Sequence, residues 1–246
     1  MQTETLVLPD GRRIAWRRVS GAGPGVVFLG GFRSDMTGTK ASFLDAWARA
    51  RGQAFLRFDY TGHGASSGDF RDGAIGEWTR DAHDALARLT EGPQVLVGSS
   101  MGGWIALLLA QRMPGRVAGL VGVSAAPDFT EDGMWAGMDA EARERLARDG
   151  EVAVPSDYGD EPYPITRRLI EEGRANLVLR APLDLPFPVR LLHGSADRDV
   201  PLAVALRLFG HATAADMSLT VVKDADHRFS APENLELIAR TLEEIL

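Results

Sequence analysis

The sequence predicts an α/β protein: a mostly parallel sheet with helices on both faces. Three observations carry that prediction. Short apolar, β-branched runs alternate with longer segments of helical period along most of the 246 residues, as βα repeats do. An apolar strand runs directly into a helix through Gly98-Ser99-Ser100-Met101-Gly102. The alternation lapses once, over about residues 128–181, and then resumes with two more strands and two more helices.

Each element follows from its own pattern. Residues 3–8 and 12–18 read as a hairpin turning at Pro9-Asp10-Gly11. Strands are expected at 25–29, 54–58, 94–97, 117–123, 189–192 and 218–222, where short runs rich in Val, Leu and Phe lie between turn residues. Helices are expected at 40–51, 76–89, 101–112, 201–209 and 232–246. The helix over 76–89 sets Trp78, Ala82, Ala85 and Leu89 on one stripe. Within 128–181 there is a helix at 139–148 stopped by Gly150, a Pro/Tyr/Asp-rich loop, and a shorter helix from about 166 to 172 ending at Gly173. That stretch is expected to be a small helical cap inserted over the strand ends of a single domain spanning 1–246.

Composition narrows the function classes. Hydrophobic residues make up 45% and charged residues 25%, as in a globular chain with a substantial core. The longest apolar run, 104–110, ends at Gln111 and Arg112, far short of the ~20 residues of a membrane span. A formal charge of −7 argues against nucleic acid as a partner. The absence of cysteine removes disulfides, thiolate metal sites and a cysteine nucleophile together. Residues 1–10 lack the basic and apolar regions of a secretory signal, so the expected location is cytoplasmic.

The glycine-rich turn carries the chemistry. Gly98-x-Ser100-x-Gly102 is a G-x-S-x-G sequence between an apolar strand and a helix. A chain reversing that sharply strains the serine backbone, and small residues two before and two after let the segments approach. The hydroxyl then projects at the positive end of the helix. Ser99 lacks glycines at both flanking positions. A phosphate-binding turn of another doubly wound fold is the competing interpretation.

A serine hydroxyl needs a base. On such a scaffold the order along the chain is Ser, then Asp or Glu, then His. Of five histidines, His63 and His83 precede Ser100, His193 closes a strand and His211 ends a helix. His227 follows the last strand in a loop able to return to Ser100 and is the expected base. Asp197, four residues after His193, is the expected carboxylate behind it, with Asp199 as rival. The developing oxyanion needs backbone donors, expected from Met101, just after the serine, and from Phe32, just past Gly30-Gly31.

These segments, with Phe58-Asp59-Tyr60-Thr61-Gly62-His63-Gly64-x-Ser66, make the chain resemble the α/β-hydrolase superfamily over nearly its whole length. Asp35-Met-Thr-Gly-Thr-Lys40-Ala, Arg57-Phe-Asp-Tyr60, Gly98 to Trp104 and Ala125-Ala-Pro-Asp-Phe129 resemble a subgroup that includes a mitochondrial serine hydrolase with depalmitoylating and acyl-glucuronide esterase activity. The resemblance implies an eight-stranded sheet and hydrolysis of carboxylic esters or acyl thioesters through an acyl-enzyme. One departure is Gly30-Gly31, where many members have His-Gly.

Trp104, Phe129, Trp135 and Met138, with Met134, Tyr158 and Tyr163, are candidates for an acyl pocket, or else anchors of the cap. Arg33, Arg167, Arg168 and Arg174 are candidates for a substrate carboxylate, or else solvated surface. The expected partner is a small-molecule or acylated substrate, with no metal and no organic cofactor. C–C bond hydrolysis, peptide cleavage, perhydrolysis and non-catalytic ligand binding remain the alternatives.

Overall fold

The computed structural model describes residues 2–154 and 162–246. Its strands and helices are, in chain order, β1 (Glu4–Val7), β2 (Arg13–Val19), β3 (Ala22–Leu29), α1 (Thr39–Arg51), β4 (Gln53–Phe58), α2 (Ile75–Leu89), β5 (Gln94–Ser99), α3 (Met101–Arg112), β6 (Val117–Val123), α4 (Ala140–Asp149), β7 (Glu151–Val154), β8 (Tyr163–Thr166), α5 (Arg167–Arg174), β9 (Leu183–Asp184), β10 (Val189–Gly194), α6 (Leu202–His211), β11 (Ala212–Thr213), β12 (Met217–Val222) and α7 (Pro232–Glu243). Eight strands form one sheet in the order β1-β2-β4-β3-β5-β6-β10-β12. β1 and β2 pair antiparallel, β2 meets β4 antiparallel, and every other pairing in this sheet is parallel.

Alternation along the strands divides the core into two layers. Val26, Phe28, Val95, Val97, Val121 and Val123 point to the face covered by α1 and α7, among Leu44, Ala48, Ile238 and Leu242. Val27, Leu29, Leu96 and Leu120 point to the other face, against α2 and α3. The α2 stripe Trp78, Ala82, Ala85 and Leu89 is buried throughout. α3 is buried from Met101 to Ala110 on all sides. A helix apolar all round needs cover all round. Here the sheet, α2 and the segment above supply it, with Leu146, Val152, Ile165, Leu169 and Ile170 joining the same apolar cluster.

The segment expected to form a small helical cap with a Pro/Tyr/Asp-rich loop also holds a short strand pair. A π-helical turn spans Thr130–Trp135. β7 and β8 pair antiparallel, with Val152 opposite Ile165. α4 and α5 are present, capped by Asp139 and Thr166 side chains that accept from the Ala142 and Leu169 N–H groups at 2.7 and 3.1 Å. α4 stops at Gly150 in the left-handed conformation, φ 83°. Among the described residues, no helix is long and apolar enough to cross a membrane.

Topology sets where the chemistry sits. β3 lies between β4 and β5, so the strand order reverses there, and a crevice forms at the carboxyl ends. Leu29 pairs with Gly98, Ser99 with Val123 and Gly194 with Val222. The loops after β3, β5, β10 and β12 therefore leave the same edge of the sheet.

Candidate active site

Ser100 is the junction between β5 and α3, at φ 54° and ψ −118°. This is a costly conformation for a residue with a Cβ, and it persists because the surroundings hold it. The Ser100 N–H donates to Val123 O at 3.0 Å, and its carbonyl accepts from Gly103 and Ala126 at 2.9 and 3.1 Å. Crowding around the turn explains the glycines. A Cβ on Gly98 would lie 2.5 Å from Gly102 O, and one on Gly102 would lie 2.0 Å from Leu29 O.

His227, in the loop after β12, reaches back 127 positions: its Nε2 lies 3.1 Å from Ser100 Oγ. Its Nδ1 lies 2.9 Å from Asp197 Oδ2. Asp197 has no exposed side-chain surface, and the His227 side chain is 15% exposed. The other Asp197 oxygen accepts from the Asp199 and Val200 N–H groups at 3.0 and 2.8 Å. Burial opposes ionisation of Asp197, but the His227 ring and the Val200 N–H outweigh it and hold the carboxyl below its ordinary value. The imidazole therefore faces a carboxylate on one side and a hydroxyl on the other.

The neighbouring candidates fall into place around this chain of contacts. Asp199 gives its N–H to Asp197 but does not cap α6, whose N-cap is Pro201 without a side-chain bond. His193 turns its Nε2 to Val200 O at 2.9 Å. His211 turns to Ala181 O at 2.8 Å. Among the described residues, Asp197, Asp199 and His227 offer ligand atoms within 4.8 Å of one another. That set is the acid–imidazole pair already joined at 2.9 Å, so a cation there would compete with it.

The β3 loop passes over the serine, and a Cβ on Gly31 would lie 3.4 Å from Ser100 Cβ. Ser34 donates its N–H to Gly31 O at 3.1 Å, closing a turn with Phe32 and Arg33 at its centre. Arg33 holds φ 57° without being glycine, at a cost on the order of 1 kcal/mol. The Phe32 ring meets Phe70, Trp78, Phe129 and Tyr163 edge-on, at 4.9 to 5.9 Å between centroids.

The pocket candidates separate by burial. Met101 and Trp104 have no exposed surface. The Trp104 indole N–H donates to Asn176 O at 3.0 Å, and its ring meets Phe129, so its contacts tie α3 to the segment above. Trp135 lies between the Arg143 and Arg174 guanidinium groups, at 4.8 and 4.7 Å. Phe129, Met134, Met138 and Tyr163 are partly buried against the core. Tyr158 lies outside the described residues. Of the four arginines, Arg167, Arg168 and Arg174 already meet Glu171, Glu77 and Glu131 of this chain. Arg33 lies over the Phe70 and Tyr163 rings.

Sequence reasoning assigned nothing to two residues that hold the loops. Buried His63 sits against the β3 loop through the Arg33 N–H at 3.3 Å. Lys40 donates its ammonium to Arg228 O, next to His227. Burial drops the Lys40 amine to about 8, with Arg228 adding to the fall and Asp226 opposing it. Both sat inside motifs already quoted, but only the fold brings them to these partners.

Fold and site together define a class: residues 26–240 match the alpha/beta hydrolase family model, and the chain belongs to that family. Individual relatives cover it almost end to end. The rat palmitoyl-protein thioesterase ABHD10, mitochondrial, is 33% identical over 239 residues, 97% of this chain and 80% of that protein. A crystal structure of a putative hydrolase from Agrobacterium vitis S4 superposes at TM-score 0.94 with 41% identity, covering 100% of this chain and 99% of that one. Alpha/beta hydrolase domain-containing protein 10 from mouse superposes at TM-score 0.92 with 32% identity, covering 99% and 98%.

Proposed function

We propose that this protein is a serine hydrolase that cleaves carboxylic ester or acyl-thioester bonds through an acyl-enzyme on Ser100. The observation carrying this reading is the relay of contacts, Ser100 Oγ to His227 Nε2 at 3.1 Å and His227 Nδ1 to Asp197 Oδ2 at 2.9 Å. The thioesterase name of a relative covering 97% of the chain supports the acyl chemistry. The cytoplasmic expectation rests on the sequence alone, and that relative's name says mitochondrial.

The steps balance without a metal or cofactor. Ser100 Oγ attacks the acyl carbonyl carbon while its proton passes to His227 Nε2. The carbonyl electron pair moves onto oxygen, which the Phe32 and Met101 N–H groups stabilise. Collapse breaks the bond to the alcohol or thiol, which leaves with the proton from His227. Water repeats the sequence on the acyl-Ser100 ester, releasing the acid and returning the proton to Ser100. Asp197 stays ionised and holds the imidazole in the required tautomer. The chain acts as one domain, with 128–181 as a cap over the site. Phe32 and Phe129, joined at 5.8 Å, line the acyl side, and Trp135 and Met138 support them from the cap.

The test is labelling by a fluorophosphonate probe, followed by rates on matched acyl p-nitrophenyl esters, acyl thioesters and amides. We expect wild type to be labelled once, at Ser100. Ser100→Ala is expected to lose labelling and at least about 10³-fold in kcat. A Ser100→Ala protein hydrolysing esters at the wild-type rate would refute the reading.

A further inference from the structure

We infer that His63 is a positioning residue for the oxyanion turn: its neutral imidazole accepts the Arg33 N–H and locks the peptide that joins Phe32 to Arg33. This rests on the ester-hydrolase reading above, which gives the Phe32 N–H its purpose: that N–H lies on the preceding peptide, and locking the next one fixes ψ of Phe32 and so the turn that carries the donor.

The hydrogen-bond chemistry fixes the ring. Nδ1 lies 3.2 Å from Thr61 O, and a carbonyl only accepts, so Nδ1 carries the proton. Nε2 is then a lone pair, and it meets the Arg33 N–H at 3.3 Å. Burial, reinforced by the Arg33 charge, pushes the imidazole down to about 4 despite the Thr61 carbonyl. The ring is held on three sides by Tyr60, Phe70 and Trp78, at 5.6, 5.2 and 5.1 Å. It cannot swing away from the turn without leaving that box.

The turn needs such a lock. In a four-residue turn closed between the first carbonyl and the fourth N–H, the central peptide is the one that flips between the two common forms. The form with positive φ at the third residue suits glycine, yet Arg33 adopts it at 57°. A flip would relieve Arg33 and bring the Phe32 carbonyl toward the His63 lone pair, where two acceptors repel. The other hydrogen bonds act at the ends of the loop, Tyr60 OH and Ser34 on the Gly30 and Gly31 carbonyls and Met36 N–H on Asp59 Oδ1 at 2.6 Å, and the ring contacts of Phe32 and Arg33 hold side chains, not the peptide between them. The loop itself carries Gly30-Gly31 and no imidazole. His63 supplies an imidazole from the β4 side instead.

The test compares His63→Phe, which keeps a ring in the box without an acceptor, with His63→Gln, which returns an acceptor. Rates on a short p-nitrophenyl ester are normalised to the labelled fraction of enzyme. We expect His63→Phe to lose about 10- to 100-fold in kcat with KM within about two-fold, because a loosened donor acts on the transition state. His63→Gln is expected to recover most of that loss. Wild-type kcat in His63→Phe, or an equal loss in both variants, overturns the inference. Should His63→Phe not fold, ¹⁵N resonances of the wild-type ring decide. A protonated Nδ1 with an accepting Nε2 supports the inference, and the reverse tautomer overturns it. Ser100→Ala run in parallel separates the two claims: if it keeps its rate, the hydrolase reading fails whatever His63 does.

Discussion

At the residue scale, the space around the serine makes two glycines separable by experiment. An alanine methyl at Gly102 would sit 2.0 Å from Leu29 O and 2.7 Å from Gly30 O, both backbone atoms. Neither can yield without moving β3, so Gly102→Ala should lose stability and activity together, read as a lower Tm and little labelling by the probe. A methyl at Gly31 would meet Ser100 Cβ at 3.4 Å and Ser34 Oγ at 3.9 Å, which is ordinary contact. Gly31→Ala should fold with a Tm near wild type yet lose rate if Ser100 is the nucleophile, because the methyl occupies space beside its side chain. His63 adds a pH prediction. Its folded value, about 4, lies below the ordinary 6.5. The unfolded chain therefore binds the proton first, and the stability His63 contributes is complete above 6.5 and drains as pH falls toward 4. Among the described residues, the charged or titratable groups facing the ring are Arg33 and Tyr60, and neither carries a negative charge between pH 4 and 7 that would offset this. Urea midpoints measured from pH 7 to 4 should fall more steeply in wild type than in His63→Gln. That Ser100, His227 and Asp197 come into contact was legible in the sequence, because the strand-to-helix glycine turn and the loops after the last two strands mark their places. His63 and Lys40 were not, because their partners lie 30 and 188 positions away and no pattern in the chain marks such a pair.

At the scale of elements, the strands of the large sheet announced themselves as short apolar runs between turn residues, and β7 and β8 did not. β7 and β8 have four residues each, and only the Val152–Ile165 pair is buried. Two apolar residues establish no period; what selects this hairpin is the cluster that the pair closes. Asp128 ties the start of the 128–181 segment to its end. Its carboxylate is buried where the chain leaves β6 and takes the Val178 and Leu179 N–H groups at 2.7 and 3.0 Å where the chain returns. Arg180 adds a third contact at 3.0 Å. Removing the carboxylate leaves two buried N–H groups unmet, which costs roughly 1–3 kcal/mol each. Asp128→Ala should therefore be destabilised by about 2–5 kcal/mol in urea unfolding. A loss under about 0.5 kcal/mol, the size of an ordinary surface change, would mean the neck is held elsewhere. The same variant should lose more rate on long acyl chains than on acetate if the cap covers the acyl side.

At the scale of the whole molecule, the question is whether the inserted segment folds with the sheet or beside it. The inserted segment, proposed as a cap, places Leu146, Val152, Ile165, Leu169 and Ile170 in the cluster that holds Trp78, Trp104 and the buried length of α3. Burying each of these side chains is worth about 1.5–3 kcal/mol, so the five contribute on the order of 10 kcal/mol gross. That matches the 5–15 kcal/mol that separates a folded domain of ordinary stability from its unfolded state. If the cap opened alone, α3 would keep its apolar outer face against water and the sheet would lose a gain comparable to its own margin. The two parts should therefore unfold as one. Trp135 reports on the cap, while Trp78 and Trp104 report on the layer beneath it. In urea, the fluorescence difference between wild type and Trp135→Phe should vanish at the same midpoint as the far-UV circular dichroism. An earlier midpoint for the Trp135 signal would make the cap a separately melting lid, and substrate entry would then follow from its opening alone. A shared midpoint leaves entry to smaller movements where Phe32 of the β3 loop meets Phe129 of the inserted segment, at 5.8 Å between ring centroids.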